Sequence, residues 1–165
     1  MASTQTWAEW NGTSPGTRTD NRTECNWKAV DDSTTAYTSS PVTAGSNSFG
    51  KYQAIVFAGT WNSLSALTYK IDVNSEQAGA VTIKGAVVTA YTTPATTATG
   101  DAAMSTTGIS ANFNTSTTPF GAGTASTTAG GTMYANALRT QMQTTGAAAP
   151  GDITAKTITA SWTES

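Results

Sequence analysis

Residues 67–73 read LTYKIDV, and this heptapeptide decides the fold class. Leu67, Tyr69, Ile71 and Val73 alternate with Thr68, Lys70 and Asp72, the period-two signature of a strand with one face in a core and the other in water. On either side, KYQAIVF (51–57) and VTIKGAVVTAY (81–91) are β-rich runs of the same kind, joined to it by turn segments at WNS (61–63) and NSEQAG (74–79). Three such runs in succession predict an antiparallel sheet. Near the C-terminus, Leu138, Thr140 and Met142 alternate with Arg139, Gln141 and Gln143. TTGAAAPGD then supplies turn chemistry, and Ile158, Ala160 and Trp162 alternate with Thr157, Thr159 and Ser161. This pattern predicts a hairpin. A helix over 133–144 competes with its first strand, because Met133, Ala137, Leu138 and Gln141 also share one side of a 3.6-residue period. The strand is preferred, since ITAKTITASW (153–162) is β in character and needs a neighbour.

The flanks are less regular. Residues 1–50 are polar and turn-rich, with Trp7, Trp10 and Trp27 as large anchors, and are expected to form an extended N-terminal arm with short strands. Residues 51–165 are expected to form the β-sandwich proper, the whole chain making a single domain. From Thr92 to about Thr132 the chain is Thr/Gly/Ala-rich and low in complexity; Pro94 and Pro119 speak against helix, so long loops with a short strand near Ile109 to Phe113 are predicted. The expected architecture is all-β, an antiparallel β-sandwich or jelly roll.

Composition narrows the chemistry. The chain has 165 residues, a formal net charge of -2 and 11% charged residues, a balance that points away from nucleic acid. No 18-residue apolar run predicts a membrane span, and the first residues lack the basic and apolar regions of a secretory signal. Thr, Ser, Ala and Gly make up more than half of the sequence, while five Trp, five Tyr and four Phe supply the large apolar side chains. Threonine suits pleated surfaces and can face water, so a small core under a Thr-covered surface is expected, with stability drawn in part from an oligomer.

Histidine is absent and Cys25 is the single cysteine, which removes the commonest neutral-pH acid-base group, zinc sites of ordinary composition and any internal disulfide. Cys25 is read as a buried small residue. Asp31-Asp32 is the one close carboxylate pair; adjacent strand residues point to opposite faces, so it cannot form a glycosidase pair by itself and reads as a solvated turn, with a calcium set among Asp20, Asp31, Asp32 and Asp101 as the competing reading. GAGTAS (121–126) lacks the third glycine of a dinucleotide loop. The N-x-[ST] triplets at Asn11, Asn21 and Asn114 are what a Thr-rich chain produces by chance. No catalytic, cofactor or metal residue is assigned.

The aromatic residues carry the functional expectation. Trp7, Trp10, Trp61, Tyr37, Tyr91 and Trp162 offer rigid contact area for a sugar ring or a neighbouring subunit. Trp162 belongs with the core by its alternation. Trp7, Trp10 and Trp61 are the candidate interface residues.

WKAVDD at 27–32, SPVTAGSNSFGKYQAIVFAGTWNSLSALTYKI at 40–71 and PGDITAKTITASWTE at 150–164 resemble, in composition and segment order, small structural proteins of tailed bacteriophages. That resemblance spans about two-thirds of the chain and implies a virion protein made in the host cytoplasm. Within that class the size fits a capsid decoration, or cement, protein: a non-enzymatic β module, often trimeric, that bridges major capsid subunits. Two alternatives come from other classes: a carbohydrate-binding domain of a tail fibre or receptor-binding protein, and a hydrolase if two carboxylates face each other in an aromatic cleft.

Overall fold

The computed structural model describes residues 3–115, 118–128 and 130–165. The first two residues of the expected arm and positions 116, 117 and 129 of the low-complexity stretch, including the end of the Asn114 triplet, lie outside that range. Twelve strands occur among the described residues: β1 (Ser3–Asn11), β2 (Thr17–Thr19), β3 (Lys51–Gly59), β4 (Ser63–Ile71), β5 (Ser75–Glu76), β6 (Val81–Val88), β7 (Ile109–Ser110), β8 (Phe113–Asn114), β9 (Ser126–Thr128), β10 (Gly131–Ala135), β11 (Ala137–Thr144) and β12 (Ile158–Glu164). Among the described residues, helix is confined to single 3-10 turns at Tyr37–Ser39 and Gln77–Gly79.

All pairings are antiparallel, and the strands form two sheets. The larger runs β2-β1-β3-β11-β6-β5, with β10 against β3 and β8 against β10; the smaller runs β12-β4-β7, with β9 also on β4. Ile55 and Phe57 of β3, Leu67, Tyr69 and Ile71 of β4, Ile83 of β6 and Leu138 of β11 fill the space between them, which makes the protein a two-layer β-sandwich. The large sheet is covered on its far side as well. Ala8, Trp10, Tyr52, Ala54, Val56, Tyr134 and Ala137 form a second buried cluster there, with Tyr91 and Phe120 packed over it.

Several expectations are corrected. Residues 3–11 form one long strand of the large sheet rather than short strands of an arm: β1 pairs with β3 from Ser3↔Gly59 to Trp10↔Tyr52. The polar sequence STQTWAEWN makes a strand because β3 supplies its ladder and because both faces of its second half are covered, so Ala8, Glu9, Trp10 and Asn11 are all buried. The C-terminal hairpin is absent. β11 lies between β3 and β6 in the large sheet, whereas β12 pairs with β4 in the small one. The three central runs likewise are not neighbours in order, for β3 passes to the other sheet through residues 60–62, where Trp61 is 3% exposed and locked in the core.

The alternation in β4 holds from Leu67 to Ile71 and fails at Val73, which lies past the strand end and is 47% exposed. Upstream the phase reverses. Ser65 pairs with Thr163 and Thr68 with Ser161, so β4 carries one extra residue, and Ala66 absorbs it at φ 54°. This bulge lets Leu64 and Leu67, three apart, both face the core. The strand expected from 153 begins at Ile158, because upstream the amides of Thr154 and Thr157 are donated to the side chains of Glu76 and Asp72 rather than to a strand.

Candidate functional site

On β3 the residues facing the small sheet change character along the strand: Ile55 and Phe57 are apolar, whereas Lys51 and Gln53 are polar. The small sheet covers the apolar half. The polar half is covered by the segment from Arg22 to Thr35, held by a buried network. Lys51 Nζ donates to Glu9 Oε1 at 3.2 Å and to the Asp32 carbonyl at 2.8 Å. Gln53 Nε2 donates to Glu9 Oε2 at 3.2 Å and to the Glu24 carbonyl at 3.3 Å. Trp27 Nε1 donates to Thr140 Oγ1 at 3.0 Å. Lys28, 1% exposed, pairs with Asp32 at 2.6 Å, and the Asp32 carboxyl also accepts from the amides of Thr34 and Thr35 and the Thr35 hydroxyl. The Lys28 bond, followed by the Thr35 hydroxyl, holds the Asp32 carboxyl well below the usual carboxylate range.

Between this segment and residues 151–158 lies a cleft of about 620 Å3, whose sheet contribution is Trp7, Gln53 and Met142. Trp7 is set by packing on Tyr69, ring centroids 5.8 Å apart, and its carbonyl accepts the Arg22 amide at 2.9 Å. Trp27 and Tyr37 enter from one wall, the Tyr37 ring 45% exposed. The opposite wall is anchored through Glu76, which binds the Thr154 amide and pairs with Lys156. Polar groups of both signs line the space, among them Arg22, Glu24 and Asp152.

The cleft brings together one thiol and two carboxylates, Cys25, Glu24 and Asp152. Cys25 lines the cleft, but burial first, and the Glu9 carboxylate second, push its thiol up to about 12. At neutral pH it is a thiol, not a thiolate nucleophile; its sulfur lies 3.6 Å from Thr140 Oγ1. Glu24 and Asp152 are the two carboxylates in the aromatic cleft, and both are exposed to water. Glu24 already accepts from Asn26 Nδ2 at 2.8 Å. A general acid for glycoside cleavage characteristically sits in apolar surroundings, which neither residue has.

The tryptophans expected at an interface are distributed differently. Trp10, 6% exposed, lies on the far face of the large sheet, edge-on to Phe120 and Tyr134 at 5.7 and 6.4 Å. Trp61 is inside the sandwich. Both are packed by side chains of their own chain. Trp7 is half-buried and reaches the cleft. Tyr91 joins the aromatic cluster of Trp10, and Trp162 packs edge-on against Phe57 at 5.2 Å.

Asp31 and Asp32 are corrected from a solvated turn to structural acceptors. Asp31 accepts from Asn11 Nδ2 and the Gly12 amide, and Asp32 holds the turn described above. Asp101 is engaged by Arg139 through two bonds of 2.9 and 2.6 Å, so these three carboxylates are separately occupied. In GAGTAS, Thr124 bridges to Phe113, and Gly123 lies so close to Asn136 and Asn112 that a side chain there has no room.

Sequence reasoning named Trp7 and Tyr37 among its aromatics but did not join them to Trp27, Arg22, Gln53 or residues 151–158. The available signal was the density of Trp, Asn, Arg and Glu in NRTECNW (21–27). Comparison of the chain with family models, with curated proteins and with solved structures finds no match.

Proposed function

We propose that the chain is a structural protein of a tailed-bacteriophage virion, a capsid decoration or cement protein that bridges major capsid subunits as a homo-oligomer, with a trimer favoured. The observation that supports this best is the outer edge of β12. Among strands of seven or more described residues, β12 alone pairs with a single neighbour, β4. The remaining strands with a single neighbour, β2, β5, β7, β8 and β9, are two or three residues long. An unpaired edge of this length offers a row of backbone donors and acceptors to a strand of another chain. Ile158, Ala160 and Trp162 pack on the core, which anchors the edge. Repeated over many copies, standard interfaces of ~1,200–2,000 Å2 would brace a shell against internal pressure.

The test exploits strand geometry. Of two adjacent strand residues, one amide points to β4 and the other away from it, and proline removes the amide it replaces. Thr159→Pro and Ala160→Pro are therefore expected to differ. One destabilises the sandwich, while the other keeps its thermal stability and loses binding to phage particles stripped of this chain. Wild-type occupancy by the folded variant contradicts a role for β12, and failure of the unmutated chain to bind such particles contradicts the virion role.

A further inference from the structure

The cleft between residues 22–42 and 151–158 has no part in an edge-to-edge contact, and its lining specifies a ligand class. We infer that it is a saccharide-binding site that takes one or two sugar rings without cleaving them. Its volume, about 620 Å3, lies inside the ~300–1,000 Å3 range of small-molecule sites. Trp7, Trp27 and Tyr37 line it with three aromatic side chains, the residue type that stacks on the C–H faces of a pyranose. Both orientations are fixed from behind, Trp7 by Tyr69 and Trp27 by its bond to Thr140, so little ordering remains to be done on binding.

The polar lining decides between ligands. Glu24 and Asp152 are acceptors and Arg22 is a donor, while Gln53, its Nε2 spent on Glu9 and Glu24, has its Oε1 left as an acceptor; planar groups such as carboxylates and guanidinium bind hydroxyls in pairs. Arg22 Nε is buried and has no hydrogen-bond partner among the described residues, which leaves an unspent donor in the wall of the cleft. A purely apolar guest would strip water from Arg22, Glu24 and Asp152 without replacing their bonds. An anionic guest would meet two carboxylates. An extended peptide needs an open backbone ladder, yet in the wall formed by residues 151–158 the Thr154 and Thr157 amides are spent on Glu76 and Asp72. A neutral polyhydroxylated ring satisfies both the aromatic and the polar groups. The inference rests on the cleft and not on a place in a virion, so failure to bind particles leaves it standing.

The full chain is first screened on an array of neutral and N-acetylated glycans, and hits are titrated by tryptophan fluorescence with the free mono- and disaccharides. Saturable binding that perturbs tryptophan emission is expected. Tyr37→Ala and Glu24→Gln, both at exposed positions, are expected to weaken it at least tenfold while far-ultraviolet circular dichroism stays unchanged. Release of reducing ends from a bound glycan would overturn the non-catalytic assignment. No glycan bound above background, binding unaffected by both variants, or preference for an apolar dye or a peptide over every sugar would overturn the site itself.

Discussion

Glu9 of β1 and Lys51 of β3, two residues from Glu9's register partner Gln53, form an ion pair at 3.2 Å with each side chain 1% exposed. A buried pair of this kind adds little net stability when intact, but loss of one partner strands the other charge. Lys51→Met leaves Glu9 with Gln53 as its neighbouring donor, and is expected to cost ~3–5 kcal/mol in urea unfolding. The Glu9→Leu/Lys51→Met double variant should cost clearly less than the sum of the two single variants; additive losses would show that the charges are not coupled. The sequence leaves this pair hidden, since a glutamate in a polar arm and a lysine at a strand start both read as solvated. Trp10 was illegible for the same reason. Its packing partners Tyr52, Phe120 and Tyr134 are distant in the chain, and no local pattern announces them.

Strand existence was readable because side-chain periodicity is a local property: 51–57 and 138–143 lie within observed strands, and the runs at 67–73 and 81–91 are strand as far as Ile71 and Val88. Strand pairing is decided by where each apolar face finds cover, and that is not local. The predicted hairpin failed because β11, though polar at Arg139, Gln141 and Gln143, is covered on both faces: Arg139 is bound by Asp101, and Gln141 donates to the carbonyls of Ser48 and Thr97. The cleft was invisible in outline because its two walls come from opposite ends of the sequence. Ala66 is the sharpest local surprise. A left-handed conformation costs a side-chain-bearing residue about 1–2 kcal/mol, so Ala66→Gly should raise stability by about 1 kcal/mol. Ala66→Val should lower it by at least as much, because a β-branched residue fits φ 54° poorly. Thermal melts of the pair check this. A stabilising Val would mean that β4 does not carry its extra residue there.

At the scale of the whole molecule, stability against pH follows from carboxylates alone, since there is no histidine to titrate between pH 5 and 8. The Lys28 bond lowers Asp32, the Lys156 bond lowers Glu76, and the Ser3 hydroxyl and amide lower Glu164. A carboxyl depressed in the folded state stabilises fully above its unfolded value of about 4, and that contribution is lost as pH falls through the folded value. The melting temperature should therefore be nearly flat from pH 6 to 8 and decline below about pH 5, with Asp32→Asn flattening the acid limb. A steep change between pH 6 and 8 would contradict this assignment. The sandwich so stabilised is proposed to act by position, as a brace laid across a shell. Cryo-electron microscopy of the assembled phage particle tests that most directly. Density for this sandwich is expected over junctions between major capsid subunits, with the outer edge of β12 against a neighbouring chain. A shell without that density, or a sandwich placed with β12 facing solvent, would contradict it.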